Sequence, residues 1–159
     1  MTFKMKIANK NNIKDIVNLD RIAHKEFSWW IPNNAKFFRK FLGNKNNQIL
    51  IAEKDGMIIG YLGLEFNKGR KSTWLNEIYV IKKERKNYIA KKLVKEALRN
   101  WKKKSKSIVL LTADRNLEIF EKLGFQKTMN FMELVRRKKR WEIEIRIYYQ
   151  INIRNKVIE

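Results

Sequence analysis

Two spacings of hydrophobic residues alternate along the chain, one typical of strands and the other typical of helices. The N-terminal part predicts a short strand over Lys4 to Ala8, followed by a helix that has Asn12 as its N-cap. A second helix is predicted where aromatic residues recur at helical spacing up to Gly43, a residue type that often caps a helix C-terminus. The predicted order is strand, helix, helix.

A hairpin is the clearest prediction of the middle region. The segment QILIAEKDGMIIGYLGLEF holds two apolar runs around Asp55-Gly56, a pair that favours a tight two-residue turn. The segment TWLNEIYVI, rich in β-branched and aromatic residues, then predicts a fourth strand. Between Asn87 and Lys104 the apolar residues form one stripe at helical period, which predicts a helix packed on the sheet.

The C-terminal part predicts a strand, a short helix and a closing hairpin. SIVLLT is a buried strand, and LEIFEKL is a two-turn helix capped by Gly124. Phe125 to Val135 and Trp141 to Ile153 flank the turn RRKK, and the second of these segments alternates with a period of two. If the edge of this last strand is exposed, it can pair with another copy, so monomer and homodimer both stay open.

Length and composition limit the chemistry. A chain of 159 residues predicts one domain, here residues 1–159. It has no cysteine, and His24 is its only histidine, so we expect neither a thiolate nucleophile nor a metal site. No apolar run approaches the roughly 18 residues that a membrane span needs, and the N-terminus does not resemble a signal peptide. We therefore expect a cytoplasmic protein that does not bind a membrane.

The charge indicates an anionic partner. Lysine and arginine number 37 against 16 acidic residues, a formal net charge of +21. Such a field attracts polyanions, RNA among them. A coding bias toward lysine, isoleucine and asparagine would give the same excess, and the sequence leaves both explanations open.

The segment IYVIKKERKNYIAKKL carries the most specific chemical signal. A strand runs directly into a helix with a cationic first turn, and the free amides at such a helix end form an anion site. The segment resembles the pyrophosphate loop of the GNAT acetyltransferases, which reads Gln or Arg, two residues, Gly, one residue, then Gly or Ala. The matching positions are Arg85, Lys86, Asn87, Tyr88, Ile89 and Ala90. Tyr88 stands where the family prefers glycine.

IFEKLGF is similar to a second signature of that family. Phe120 occupies the position at which many members have a tyrosine that protonates the leaving thiolate, and Asn116 matches the family's asparagine across a gap. The order of elements from Lys4 to Ile153 also matches. The resemblance implies a mixed α/β (α+β) fold: a mostly antiparallel sheet of about seven strands, flanked by about four helices.

The resemblance implies that acetyl-CoA is the cosubstrate and that its acetyl group passes directly to a primary amine. Backbone groups of Ile78, Tyr79 and Val80 would bind the pantetheine arm and the thioester oxygen. Glu77, on the same strand, would hold the ammonium or accept its proton. The alternative for Glu77 is a solvated carboxylate paired with a lysine.

The acceptor side is less defined. The resemblance puts Trp29 and Trp30 in the loop that shapes the acceptor site, although two aromatics between helices are also typical of a core. His24 is either a base or an exposed residue at a helix end. Tyr79 or Tyr88 could supply the acid that Phe120 cannot.

Two functions of different classes follow. The first is an N-acetyltransferase acting on a protein or peptide N-terminus, a small amine or aminoacyl-tRNA. The second is a GNAT-like module that has lost catalysis and binds RNA or another polyanion through its basic runs.

Overall fold

The computed structural model describes residues 2–27, 30–101, 104–112, 116–133 and 146–152. Seven strands lie in these ranges: β1 (Lys4–Ile7), β2 (Asn47–Lys54), β3 (Met57–Asn67), β4 (Ser72–Val80), β5 (Ser107–Thr112), β6 (Gln126–Glu133) and β7 (Arg146–Asn152). The α-helices of the same ranges are α1 (Ile13–Glu26), α2 (Ala35–Gly43), α3 (Ile89–Trp101) and α4 (Leu117–Glu121). Short 3₁₀ segments, Lys10–Asn12 and Lys82–Asn87, precede α1 and α3.

The strands form one sheet in the order β1-β2-β3-β4-β5-β7-β6. Every neighbouring pair is antiparallel except β4 and β5. The predicted mixed, mostly antiparallel sheet is therefore confirmed. The condition for pairing of the last strand with another copy, an exposed edge, is not met in the described part of the hairpin, because β7 lies between β5 and β6 and has both edges bonded. The RRKK turn lies outside the described residues.

The Asp55-Gly56 turn confirms the predicted hairpin. Lys54 pairs with Met57 across it, and both central residues have positive φ, 51° and 76°. These angles define the two-residue turn that matches the twist of its strands.

Polar residues end the helices, although not all as the sequence predicted. The Asn34 side chain caps α2 by accepting the amide hydrogen of Phe37. Asn12 precedes α1 as expected, but its side chain accepts from Asn9 and closes the preceding 3₁₀ turn instead. Gly43 is the last residue of α2 and has no positive φ, so its prediction as the cap is wrong. α4 ends at Glu121, earlier than the predicted helix LEIFEKL, and Gly124, at φ 90°, lies in the turn that follows, where the Phe125 amide bonds to the Phe120 carbonyl.

The sheet separates two hydrophobic clusters. Ile49 and Ile51 of β2 point toward α1 and α2, and the alternate residues Leu50 and Ala52 point toward α3. This alternation is the reason that β2 is apolar throughout, since both of its faces are covered. None of the helices in the described ranges has the length and apolar character needed to cross a bilayer.

β4 is irregular where it leaves β5. Leu62 and Leu64 of β3 pair with Ile78 and Leu75 of β4. The single residue between the two leucines therefore lies opposite two residues of β4, Asn76 and Glu77, which form a bulge. β5 pairs with β4 only from Ser72 to Leu75. Beyond Leu75 the edge of β4 that faces β5 has no strand partner among the described strands.

Gly60 of β3 is needed for close contact with β4. A Cβ atom at this position would lie 2.9 Å from the Tyr79 carbonyl oxygen and 3.0 Å from Cγ2 of Val80. We predict that Gly60→Ala lowers the free energy of unfolding by about 1–3 kcal/mol through overpacking, as measured by denaturant titration.

Gly63→Ala is the matched control, because its Cβ would have no neighbour closer than 3.8 Å. Equal destabilisation by the two alanines would contradict the role assigned to Gly60.

Candidate active site

Glu77 lies on the bulge of β4 and is half-buried. Its Oε1 accepts a hydrogen bond from Nδ2 of Asn33 at 2.9 Å, and its Oε2 lies 3.4 Å from the Tyr61 hydroxyl. Neither partner is a cation, so the alternative interpretation of Glu77 as the partner of a lysine does not describe its contacts here. The bulge turns this carboxyl toward α1 and the loop before α2.

Asp20 of α1 lies behind Glu77 and was missed by the sequence interpretation. It is 0% exposed and receives hydrogen bonds from Trp30 Nε1 at 2.7 Å, from the Tyr61 hydroxyl at 2.7 Å and from the backbone N–H of Asn33. A signal existed in the sequence: Asp20 follows Ile13 and Ile16 at helical spacing, on the apolar stripe. A carboxylate on such a stripe must find buried donors.

The surroundings of Glu77 favour its protonated form. Burial raises the pKa of Glu77 above its ordinary value, the charge of Asp20 raises it further, and the hydrogen bond from Asn33 acts in the opposite direction. Burial also raises the pKa of Tyr61 strongly, with the nearby carboxylates adding to the effect, so this hydroxyl keeps its hydrogen. A carboxyl whose pKa is raised by burial and by a second carboxyl is a candidate for a proton acceptor.

The raised pKa of Glu77 has a consequence for stability. Ionised Glu77 is less favourable in the folded than in the unfolded chain, where a glutamate titrates near about 4.3. Below that pH the penalty is absent, and it develops as the pH rises through the higher folded pKa. We predict that Glu77→Gln, which keeps an oxygen for Asn33, becomes increasingly more stable than the wild type between pH 4 and pH 8, as measured by denaturant titrations across pH.

Glu65→Gln, an exposed substitution on β3, controls for the loss of one carboxylate. A wild type that is more stable than Glu77→Gln at pH 8 would show that ionised Glu77 is stabilising instead.

Arg85 forms a second cluster with Glu26 and Tyr79. Its Nη1 and Nη2 each donate to one oxygen of Glu26 at 2.6 Å, and its Nε donates to the Val80 carbonyl at 3.0 Å. The bond to Arg85 holds the pKa of Glu26 below its ordinary value. Arg85 thus connects the end of α1 to the end of β4. Each of its two terminal nitrogens has one N–H that does not bond to Glu26, and the predicted contact with a diphosphate would use these two hydrogens.

Tyr79 belongs to the same cluster. Its hydroxyl donates to Glu26 at 3.0 Å, and its ring packs edge-on against Trp30 at 6.1 Å between centroids. Burial, together with the bond to Glu26, raises the pKa of Tyr79 to about 12. The hydroxyl is therefore protonated at neutral pH, as an acid must be, but it is directed at Glu26.

The start of α3 explains the glycine position of the family motif. Tyr88 has φ 56° and ψ 25°, the left-handed conformation that glycine adopts without steric cost. The residue is 70% exposed. Lys92 N–H bonds to the Tyr88 carbonyl, so the amides of Ile89, Ala90 and Lys91 form the first turn, which lacks acceptors within the helix.

Glu84 fixes the 3₁₀ turn that leads into α3. Its carboxylate accepts from Lys54 Nζ and Asn87 Nδ2, both at 2.7 Å. The bond to Lys54 holds the pKa of Glu84 below its ordinary value. Lys82, Lys83 and Lys86 of the same turn are exposed. A fixed turn with exposed cations before free amides is suited to binding an anion.

The remaining predicted residues are placed as follows. Phe120 is buried, with its ring 5.7 Å from that of Phe125. Asn116 directly precedes α4 without capping it through its side chain. Trp30 is buried and belongs to the α1–α2 cluster, and Trp29 lies outside the described residues. His24 is exposed, with Nδ1 at 2.5 Å from the Trp30 carbonyl oxygen.

The family profile described as "Acetyltransferase (GNAT) domain" matches residues 45–127, which include β4, the 3₁₀ segment Lys82–Asn87, α3 and α4. The chain belongs to the GNAT acetyltransferase family. A comparison with proteins of curated function gives no match.

Solved structures share the fold at low sequence identity. A probable acetyltransferase from Staphylococcus epidermidis has a TM-score of 0.78 at 13% identity, over 98% of this chain and 100% of that one. The ribosomal-protein-S18-alanine N-acetyltransferase from Escherichia coli has a TM-score of 0.77 at 10% identity, over 96% and 93%. Mutant forms of the spermidine/spermine N-acetyltransferase from Vibrio cholerae give 0.71 at 16% identity, over 96% and 94%.

Proposed function

We propose that the chain is a single N-acetyltransferase domain that transfers the acetyl group of acetyl-CoA directly to a primary amine, with Glu77 accepting the proton of that amine. The observation that carries this proposal is the position of Glu77: a half-buried carboxyl on the bulge where β4 leaves β5. The thioester is already activated, so attack by the amine needs positioning, deprotonation and stabilisation of the oxyanion rather than a nucleophilic side chain.

The free edge of β4 and the first turn of α3 fit the coenzyme. Beyond Leu75 the β5-facing edge of β4 is without a strand partner in the described ranges. The backbone groups of Tyr79 face β3, so those of its neighbours Ile78 and Val80 face the open edge and can bond an extended pantetheine arm. The amides of Ile89 to Lys91 lie after the 3₁₀ segment Lys82–Asn87, where a diphosphate is favoured by the helix dipole. Arg85, Lys86 and Asn87 precede this turn; Asn116 and Phe120 are proposed contacts on the α4 side.

The acceptor is proposed only as a class of molecule, the primary amines. Two structural neighbours act, by their names, on an alanine of a ribosomal protein and on spermidine or spermine. Trp30 faces Asp20 and Tyr79, and Trp29 is its neighbour in sequence, so these tryptophans are proposed to shape the acceptor side. The net charge of +21 favours an acceptor carried by something anionic over a free polycation.

The alternative of an inactive module that binds RNA has less support. Tyr88 in place of the family's glycine would favour this alternative, but Tyr88 adopts the left-handed conformation that glycine would supply, and the residue is 70% exposed. Phe120 cannot donate a proton, but after direct attack on a thioester the leaving thiolate can take its proton from water.

The function is tested by calorimetric titration with acetyl-CoA, followed by mass spectrometry of candidate amines after incubation. We expect saturable binding and a mass increase of one acetyl group on at least one class: an N-terminal peptide, a polyamine or aminoacyl-tRNA. Retention of RNA that weakens steeply with salt, in a protein that does not bind acetyl-CoA, would favour the module instead.

The site of the diphosphate is tested by Ala90→Asp. Ala90 is exposed in the first turn of α3, where an aspartate stabilises a helix, so the fold should be retained. The new carboxylate would repel the diphosphate by about 1–4 kcal/mol at a separation of about 4 Å. We predict that the Kd for acetyl-CoA rises tenfold or more in the calorimeter.

Asn67→Asp is the matched control. It makes the same change in charge, keeps an oxygen for the Arg70 amide and lies at the opposite end of the β3–β4 pair. Equal weakening by both variants would show only a general effect of charge, and no weakening by Ala90→Asp would place the diphosphate elsewhere.

A further inference from the structure

Asp20 and Glu77 are joined by two shared residues. The backbone N–H of Asn33 donates to Asp20, and the side-chain Nδ2 of Asn33 donates to Glu77 at 2.9 Å. The Tyr61 hydroxyl lies 2.7 Å from Asp20 Oδ1 and 3.4 Å from Glu77 Oε2. A residue of α1 that no substrate can touch is thereby connected to the proposed proton acceptor on β4.

The single hydrogen of the Tyr61 hydroxyl belongs to Asp20. A phenol has one O–H to donate, and the shorter separation to Asp20 is that of a strong bond to a carboxylate, whereas 3.4 Å is long for one. The Tyr61 oxygen is then free to accept. A protonated Glu77 can donate to it, and an ionised Glu77 cannot.

We propose that Asp20 is a positioning residue of the acetyl transfer, which acts through Tyr61 and Asn33 to hold the Glu77 carboxyl and to direct the proton of the amine onto it. This inference rests on the proposed function. In the step itself an N–H bond of the ammonium breaks, its electron pair stays on nitrogen for attack, and an O–H bond forms on Glu77. The proton leaves to water when the product dissociates.

The electrostatics of the pocket act in the same direction. Among the described residues, the titratable groups that face Glu77 are Asp20 from α1 and Tyr61 from β3, while the loop before α2 presents the neutral Asn33. After burial, the charge of Asp20 is the largest influence that raises the pKa of Glu77. Among the described partners of the two carboxyls none is a cation, so the incoming proton is the charge that relieves their repulsion.

The test uses Asp20→Asn in the full chain. The readout is an NMR titration of ¹³C-labelled side-chain carboxyls in the free protein, with Glu77 assigned by Glu77→Gln. We expect the pKa of Glu77 to fall toward its ordinary value. We also expect kcat to fall by about tenfold, with a smaller change in KM for the amine and an acidic limb of the rate profile moved to lower pH.

Asp15→Asn is the matched control, because Asp15 is an exposed carboxylate in the first turn of the same helix. A pKa of Glu77 that moves no further in Asp20→Asn than in Asp15→Asn overturns the inference. The titration needs neither coenzyme nor amine. A wild type that acetylates no amine therefore overturns the proposed function, while an active wild type with an unmoved Glu77 overturns this inference alone.

Asp20→Asn places a side-chain donor against the Asn33 amide, which is also a donor, and this variant could fail to fold. Tyr61→Phe tests the inference in that case. Phenylalanine leaves both carboxylates in place and removes the oxygen that accepts from protonated Glu77. We expect the pKa of Glu77 to fall in this variant as well. A rise would mean that the hydroxyl donates to Glu77, and would contradict the proton path assigned here.

Discussion

The separation of β4 from β5 after Leu75 is the constraint on which the site depends. The two strands pair over four residues only, and the bulge at Asn76 and Glu77 lies where the pairing stops. One consequence is an open backbone edge on β4. The other is the direction of Glu77, which the extra residue turns toward α1 and away from the helices of the opposite face. Gly60 supports both, because it brings β3 close to the carbonyl of Tyr79.

Charge is distributed unevenly between the surface and the interior. The chain carries a formal +21, yet the described interior of the site contains two carboxyls bonded to tryptophan, tyrosine and asparagine rather than to lysine or arginine. Arg85 is the exception nearby, and both of its terminal nitrogens bond to Glu26. A basic exterior attracts anionic molecules, and under the proposed function the acidic interior would receive the ammonium group of the acceptor.

Local patterns predicted most of the elements. Asp55-Gly56, the apolar stripe of α3 and the strand before it needed only neighbouring residues to be recognised. The bulge, by contrast, depends on the register between β3 and β4, which no single strand encodes. The placement of β7 between β5 and β6 is likewise a property of the whole sheet. Glu77 was identified through family resemblance. Its partners Asp20, Tyr61 and Asn33 come together with it only in the fold, from positions up to 57 residues away in sequence. Of these three, only Asp20 is marked in the sequence, as a charged residue on an apolar stripe. The motif predicted Arg85 as a phosphate ligand but not its bidentate bond to Glu26, because that partner lies 59 residues away.

A crystal structure of the complex with coenzyme A tests the central claim most directly. We predict that the pantetheine arm bonds to the backbone of β4 beyond Leu75 and that the diphosphate lies on the amides of Ile89 to Lys91. The sulfur should lie on the side of the strand where an amine that attacks the thioester contacts Glu77 directly or through one water. A coenzyme bound elsewhere, with the edge of β4 bare, would contradict it.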